Sequence, residues 1–231
     1  MAPTRILDPQ AIPFASTDVH LPAVDPERLT ATALRERFAR TAGWVPELAG
    51  DGHIAPGRPP SAAAVLVPLV RRDDGLHVLL TRRSEHLRDH AGQISFPGGR
   101  SESSDIDAAD TALREAEEEI GLPRALVDVI GQLPAYTTVT QYVVTPVVAL
   151  VTPPFVLALD GFEVAEAFEV PLSFLMAPAN HRRHLFTYEG GERQFLSMPW
   201  PAIADDGKPR EHFIWGATAA MLRNLYHFLS R

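Results

Sequence analysis

The sequence predicts an α/β (α+β) sandwich, and three observations carry that expectation. Strand-like and helix-like segments alternate from Ser61 onward. One acidic helix near the middle of the chain has clear start and stop signals. The 231 residues are 45% hydrophobic and 22% charged, close to average globular usage, which excludes collagen, coiled coil and wholesale disorder. A chain of this length makes one ordinary domain with a sizeable core.

Residues 1–60 are studded with prolines at positions 3, 9, 13, 22, 26, 46, 56, 59 and 60, which keep most of the stretch irregular. One helix fits inside it. Asp25 caps, Pro26 takes the first helical position, and Leu29, Ala33, Leu34 and Phe38 recur at helical spacing before Gly43. We expect residues 1–60 to be an extension that packs this helix on a main domain of residues 61–231. In that domain Ala62–Leu69 and His77–Thr81 flank Arg72-Asp73-Asp74-Gly75, a hairpin with a D-G turn. Ile106–Ile120 is helical by period, and Val127–Pro134 and Val139–Leu150 look like strands. Asp160–Phe174 starts a helix or turn that Pro171 interrupts. Phe213–Phe228 is a terminal amphipathic helix, with Ile214, Ala217, Met221, Leu222 and Leu225 on one stripe.

Composition removes several functions. With 21 basic against 29 acidic side chains the net charge is −8, a poor match for nucleic acid, whose phosphates need clustered Lys and Arg. No cysteine is present, so disulfides, zinc–thiolate sites and cysteine nucleophiles are excluded together. Ala62–Val70 and Val143–Leu159 are interrupted by prolines and read as strands, not membrane spans, and the first ten residues lack an apolar signal region. A soluble, cytoplasmic chain is expected. No G-x-S-x-G elbow and no G-x-G-x-x-G loop occurs, which argues against a serine hydrolase and a dinucleotide-binding domain.

The chemistry concentrates in FPGGRSESSDIDAADTALREAEEEIGL, residues 96–122. Ser104 is a plausible cap, Asp105 and Asp107 sit at the positive helix end, and Gly121 with Pro123 stops the helix. At about 100° per residue, Ala109, Ala112, Leu113, Ala116 and Ile120 form one apolar stripe. Glu115, Glu118 and Glu119 fall in a second sector, and Arg114 lies one turn before Glu118. Neighbouring carboxylates at this spacing repel by on the order of 3 kcal/mol per pair at an effective dielectric near 20. Either solvent screens them on an exposed face, or a hard divalent cation such as magnesium or manganese turns the repulsion into ligation.

Context upstream decides between these. Pro97-Gly98-Gly99 is a turn that lets backbone approach a ligand, and REAEEEIGL follows it at fixed distance. The combination resembles the Nudix box, G-x5-E-x7-R-E-U-x-E-E-x-G-U. Arg114, Glu115, Glu118, Glu119, Gly121 and Leu122 match, and Ala116 is a smaller residue at the first U. The spacing from Gly99 to Arg114 is one residue longer, so the first glutamate falls at Ile106 and Asp105 stands near its place. Leu79 to Gly99, LLTRRSEHLRDHAGQISFPGG, is similar to L-L-T-x-R-[SA]-x3-R-x3-G-x3-F-P-G-G, the signature of the coenzyme A diphosphatase branch, which shares the longer box. The resemblance covers roughly residues 61–228.

That resemblance implies the Nudix fold, a mixed β-sheet between α-helices, and hydrolysis of a nucleoside diphosphate derivative. For this branch the substrate is coenzyme A or an acyl or disulfide derivative, cleaved to 3′-phospho-AMP and 4′-phosphopantetheine with Mg2+ or Mn2+. Glu115 and Glu119, one helical turn apart, are the first metal ligands, and the Gly99 carbonyl completes the shell as in relatives. Glu118 is a further ligand or a base. Arg83 and Arg88 hold phosphate oxygens or pair with the acidic helix. Gly98 and Gly99 shape the substrate side, and Arg114 orients a carboxylate. Glu166, with Glu163, either lies where other Nudix enzymes supply a later base or ligand or, more simply, places charge at a helix N-terminus. His86 and His90 are polar loop residues, and Trp200 and Trp215 either stack adenine or pack the core. The resemblance also implies a homodimer.

Overall fold

The computed structural model describes residues 6, 8–40, 44–52, 60–87, 89–188, 191–203 and 207–231. In chain order the elements are β1 (Phe14–Thr17), α1 (Ala31–Ala39), β2 (Ser61–Arg72), β3 (Gly75–Arg83), β4 (Ile94–Ser95), β5 (Gly98–Arg100), α2 (Ala108–Ile120), β6 (Val127–Gln132), β7 (Tyr136–Thr137), β8 (Tyr142–Val151), β9 (Val164–Pro171), α3 (Leu172–Leu175), β10 (Arg182–Tyr188), β11 (Gly191–Ile203), β12 (Pro209–Trp215) and α4 (Gly216–Leu229).

The larger sheet is mixed. Its spine runs β4-β3-β2-β8-β6, with β5 on β2, β7 on β8 and β9 on β3. At its centre β2 and β8 run parallel from Ser61↔Tyr142 to Val70↔Val151, while β2 and β3 form the antiparallel hairpin. Two-residue alternation sends Ala63, Val67 and Leu69 to one face of β2 and Ala64, Leu66 and Val70 to the other, and both sets are buried. This is why Ala62–Val70 is apolar on both alternating faces, with Pro68 its one break: the strand is covered on both sides. The α2 helix covers one face through Ala112, Ala116 and Ile120. The other face packs on α1, α4 and the second sheet. Each fully buried leucine or isoleucine here contributes about 1.5–3 kcal/mol.

Four expectations are corrected. The single N-terminal helix is two pieces: a 3-10 turn over Pro26–Leu29 capped by Asp25, then α1. Thr30 adopts extended backbone between them and its hydroxyl accepts from the Ala33 N–H, restarting the helix. The α2 helix starts at Ala108, capped by Asp107 and not by Ser104. Asp160–Phe174 holds a strand, because β9 pairs with β3 from Arg83↔Val164 to His77↔Pro171, and that pairing overrides the helical composition of VAEAFE. The terminal helix starts at Gly216, and Pro209–Trp215 is β12. That helix is also buried on nearly every side, Arg223 and Asn224 included.

The N-terminal region does more than dock a helix. β1 pairs with β10, extending an antiparallel sheet of order β1-β10-β11-β12. Asp18, buried, takes a two-pronged ion pair from Arg183 and a third contact from Arg223, which also holds Glu47. The Asn224 amide exchanges two hydrogen bonds with the Leu48 backbone.

His181 sits inside this cluster, fully buried, and its two ring nitrogens fix its state. Nε2 donates to the Leu175 carbonyl at 2.8 Å, and Nδ1 accepts from Arg223 at 3.1 Å, so the ring is neutral. Burial above all, with Arg223 adding to it, pushes the imidazole down to about 4. A histidine depressed in the folded state stabilises fully above its ordinary value and loses that contribution as pH falls from about 6.5 through 4. Between pH 7 and 4 the wild-type chain therefore loses about 3 kcal/mol relative to His181→Gln. Urea unfolding of both at the two pH values checks this, and parallel losses would exclude His181 as the source.

Candidate active site

Two of the three glutamates on the acidic helix face, Glu115 and Glu119, are turned away from solvent. β5 runs antiparallel to β2, which brings Pro97-Gly98-Gly99 against α2. Gly98 has φ +150, and a Cβ there would stand 2.4 Å from the Ala64 carbonyl oxygen, so only glycine fits. Its N–H donates to Glu119 Oε2 at 3.0 Å. At Gly99 a Cβ would lie 2.6 Å from the Glu115 carboxyl carbon: that carboxylate lies directly on the loop. Both predicted glycines are thus used, one as donor and one as cradle.

Arg114 is the hub. It forms a fork with Asp105 through Nε–Oδ1 at 2.9 Å and an NH2–Oδ2 bond at 3.0 Å. A further nitrogen donates to Glu115 at 2.9 Å and to Glu118 at 3.0 Å, and NH2 reaches the Arg100 carbonyl. Asp105 also accepts from the Thr111 hydroxyl and the Glu102 N–H, and Arg114 foremost holds its carboxyl well below the usual range. Ile106, at the position of the missing glutamate, is 90% exposed. Asp105, one residue before that position, is the acid that pairs with Arg114.

The three glutamates differ in environment. Glu118 is exposed. Desolvation raises Glu115, against the pull of Arg114. Glu119, only 6% exposed, is pushed up to about 7, chiefly by desolvation and further by the like charges of Glu115 and Glu163; the Gly98 N–H and Arg83 oppose this. Among the described residues no three acids or imidazoles are gathered at ligand spacing. Two of these glutamates are tied to Arg114 and the third to the Gly98 N–H. The donor set is nonetheless oxygen-only, partly dehydrated and pressed against a side-chain-free cradle, which fits a hard divalent cation.

Arg83 approaches the same carboxylates. One guanidinium nitrogen is 4.0 Å from Glu119 Oε1, and its buried Nε has no hydrogen-bond partner. Arg88 lies outside the described residues. Glu166 is a correction. Alternation along β9 places it on the opposite face of the sheet, where it bonds Arg82 and Arg210 at 3.0 Å and stands 3.7 Å from His212. Glu163, one residue before the β3 register ends at Val164↔Arg83, belongs to the loop whose charge acts on Glu115 and Glu119. His90 bonds Gln93. Trp200 packs edge-on to Phe174 against the core, whereas Trp215 stands half-buried and edge-on to Phe195 outside both hydrophobic clusters. Sequence alone missed the Asp105 fork and Ser84, whose N–H donates to the Glu163 carbonyl and ties the two loops together. The serine was visible in the motif, but its partner was not.

Residues 60–185 match the NUDIX domain model, more than half of the chain. This chain belongs to the Nudix family. The uncharacterized Nudix hydrolase NudL of Escherichia coli K12 is 44% identical over 167 residues, covering 71% of this chain and 80% of NudL. Among solved structures, a MutT protein from Methanosarcina mazei Go1 is 27% identical with a TM-score of 0.41, covering 52% of this chain and 83% of that one. A C. elegans Ap4A hydrolase is 20% identical with a TM-score of 0.42, covering 51% and 85%. As a Nudix hydrolase the chain cleaves the pyrophosphate of a nucleoside diphosphate derivative, in a family that generally uses divalent metal ions. No helix among the described residues is long and apolar enough to cross a membrane.

Proposed function

We propose that this Nudix hydrolase cleaves coenzyme A or its thioester and disulfide derivatives to 3′-phospho-AMP and 4′-phosphopantetheine, with Mg2+ or Mn2+. The observation that carries this reading is Arg83. It belongs to the LLTRRS segment, stands 4.0 Å from Glu119, and keeps a buried donor without a partner. A phosphate oxygen would satisfy that donor, since guanidinium and phosphate geometries match. Catalysis then belongs to residues 61–231, and residues 1–60 serve packing.

Glu115, Glu119 and the Gly99 carbonyl would hold the ion, with Glu118 adding an oxygen from the rim. Such an ion, when bound, neutralises phosphate charge and makes water acidic enough to attack. The chain's own groups do the rest. Arg114 holds Glu115 and Glu118 in place, and Asp105 holds Arg114. Arg83 orients the phosphate. Glu163 is the carboxylate placed to take the proton as water oxygen bonds to phosphorus; the bond to the bridging oxygen breaks, and the second phosphate departs with that oxygen.

Purified protein incubated with coenzyme A or with ADP-ribose, with and without magnesium, tests the proposal by chromatography. Metal-dependent release of 3′-phospho-AMP, faster than ADP-ribose cleavage, is expected. Turnover of ADP-ribose alone would sink the coenzyme A assignment and keep the chemistry. Metal binding without turnover of either would leave a binding module.

A further inference from the structure

The loop between β8 and β9 carries an aromatic ring that stays out of both hydrophobic cores. Phe162 leaves 67% of its surface in solvent. A phenylalanine left outside forgoes about 1.5–3 kcal/mol of burial. Yet the backbone that presents it is held firmly. The Asp160 N–H donates to the Glu119 carbonyl at 2.9 Å, which ties the loop to the last turn of the acidic helix. The Asp160 carboxylate accepts from the Phe162 N–H, and its carbonyl accepts from the Glu163 and Val164 N–H groups. From the other side Ser84 donates its N–H to the Glu163 carbonyl and its hydroxyl to the Gly161 carbonyl, at 2.9 and 3.2 Å.

Among the described residues the Phe162 ring has one aromatic neighbour, His86, with centroids 4.8 Å apart and planes tilted 57°. His86 follows Ser84 in the segment that also supplies Arg83. A rigid, water-exposed aromatic corner therefore stands between two loops, one bearing Arg83 and the other Glu163, and both of these act on Glu119. Val156 and Ile106 are as exposed as Phe162 or more so, but neither has a ring to present.

We propose that Phe162, supported by His86, is the platform on which the base of the nucleoside diphosphate stacks. A planar ring suits a base, because every base has a π-face and stacking needs no hydrogen-bond code. Base and scissile phosphate belong to one short molecule, so its platform must sit on a segment anchored to the helix that holds the phosphates. The Asp160–Glu119 hydrogen bond is that anchor. The inference rests on the site being that of a nucleoside diphosphate hydrolase, and not on coenzyme A being the substrate.

The test uses the full chain with magnesium, titrated calorimetrically with AMP and, separately, with ribose 5-phosphate, which lacks the base. Phe162→Ala should weaken AMP about tenfold, leave ribose 5-phosphate unchanged, and be rescued by Phe162→Trp. In turnover the same change should fall on KM and spare kcat. An unchanged ratio of the two affinities in Phe162→Ala overturns the proposal, as does equal loss of both ligands or no AMP binding by the wild-type chain. An unchanged ratio with an altered mass in light scattering also overturns it and reassigns Phe162 to a contact between copies. Loss of AMP binding in a protein that ignores coenzyme A upholds the platform and removes only the substrate assignment.

Discussion

Glu119→Gln abolishes most metal-dependent turnover, by on the order of a hundredfold or more, and yields a protein more stable than wild type above neutral pH without metal. The amide oxygen still accepts from the Gly98 N–H, so the loop stays in place. What is lost is a charged oxygen donor. What is gained follows from burial. The Glu119 carboxyl is raised to about 7, so the wild-type chain loses stability as pH rises through that value and the buried group ionises. The difference approaches about 3 kcal/mol at pH 9 and vanishes near pH 4. Thermal unfolding across that range, beside initial rates at saturating magnesium, reads both effects. Normal turnover would remove Glu119 from the ligands, and equal stability at pH 9 would show that its carboxylate is better solvated than its 6% exposure implies.

Arg114→Ala should cost both fold stability and activity, and Arg114→Lys should restore little of either. Alanine leaves Asp105, 4% exposed, without its fork and Glu115 without its partner. Lysine keeps a charge but cannot span Asp105, Glu115, Glu118 and the Arg100 carbonyl at once, since one ammonium does not reproduce a planar fork. Arg114 is a positioning residue, and its loss should raise the magnesium concentration for half-maximal rate about tenfold or more. A purely structural role would lower the melting temperature and leave that concentration unchanged. Full rescue by lysine would mean that charge alone matters.

Sequence disclosed the elements whose signals are local. The α2 helix carries its own apolar stripe and glycine stop, and the β2–β3 hairpin its own turn, so both were legible, although several acidic and hydroxyl side chains compete for the α2 cap and Asp107, not Ser104, takes it. The segment 164–171 was not, because Ala and Glu favour helix and only the pairing with β3, more than eighty residues earlier, makes it a strand. Strands β10 to β12 went unread for a similar reason. Pro199, Pro201 and several charged side chains suit an antiparallel sheet that solvent partly reaches, and dilute any apolar pattern. In the site, residue types announced the glutamates, the arginine and the glycines. Which carboxylate faces which side of a sheet depends on register, so Glu166 and Glu163 could not be told apart from spacing.

The parallel pairing of β2 with β8 sets the order in which this enzyme can come into being. Residues 61 and 142 must meet before either face of the sheet exists, because the two cores share β2. The acidic helix lies between them in sequence and docks first on β2 and β5, yet the layer beneath it is completed by Val147, Ala149 and Val151 only when β8 arrives. A ribosome must therefore release the chain well past Val151 before the carboxylates are placed, and a one-residue slip in the parallel register would turn Leu66 and Val67 to the wrong cores. Long loop closure makes that step slow, so activity should be among the last properties regained on refolding.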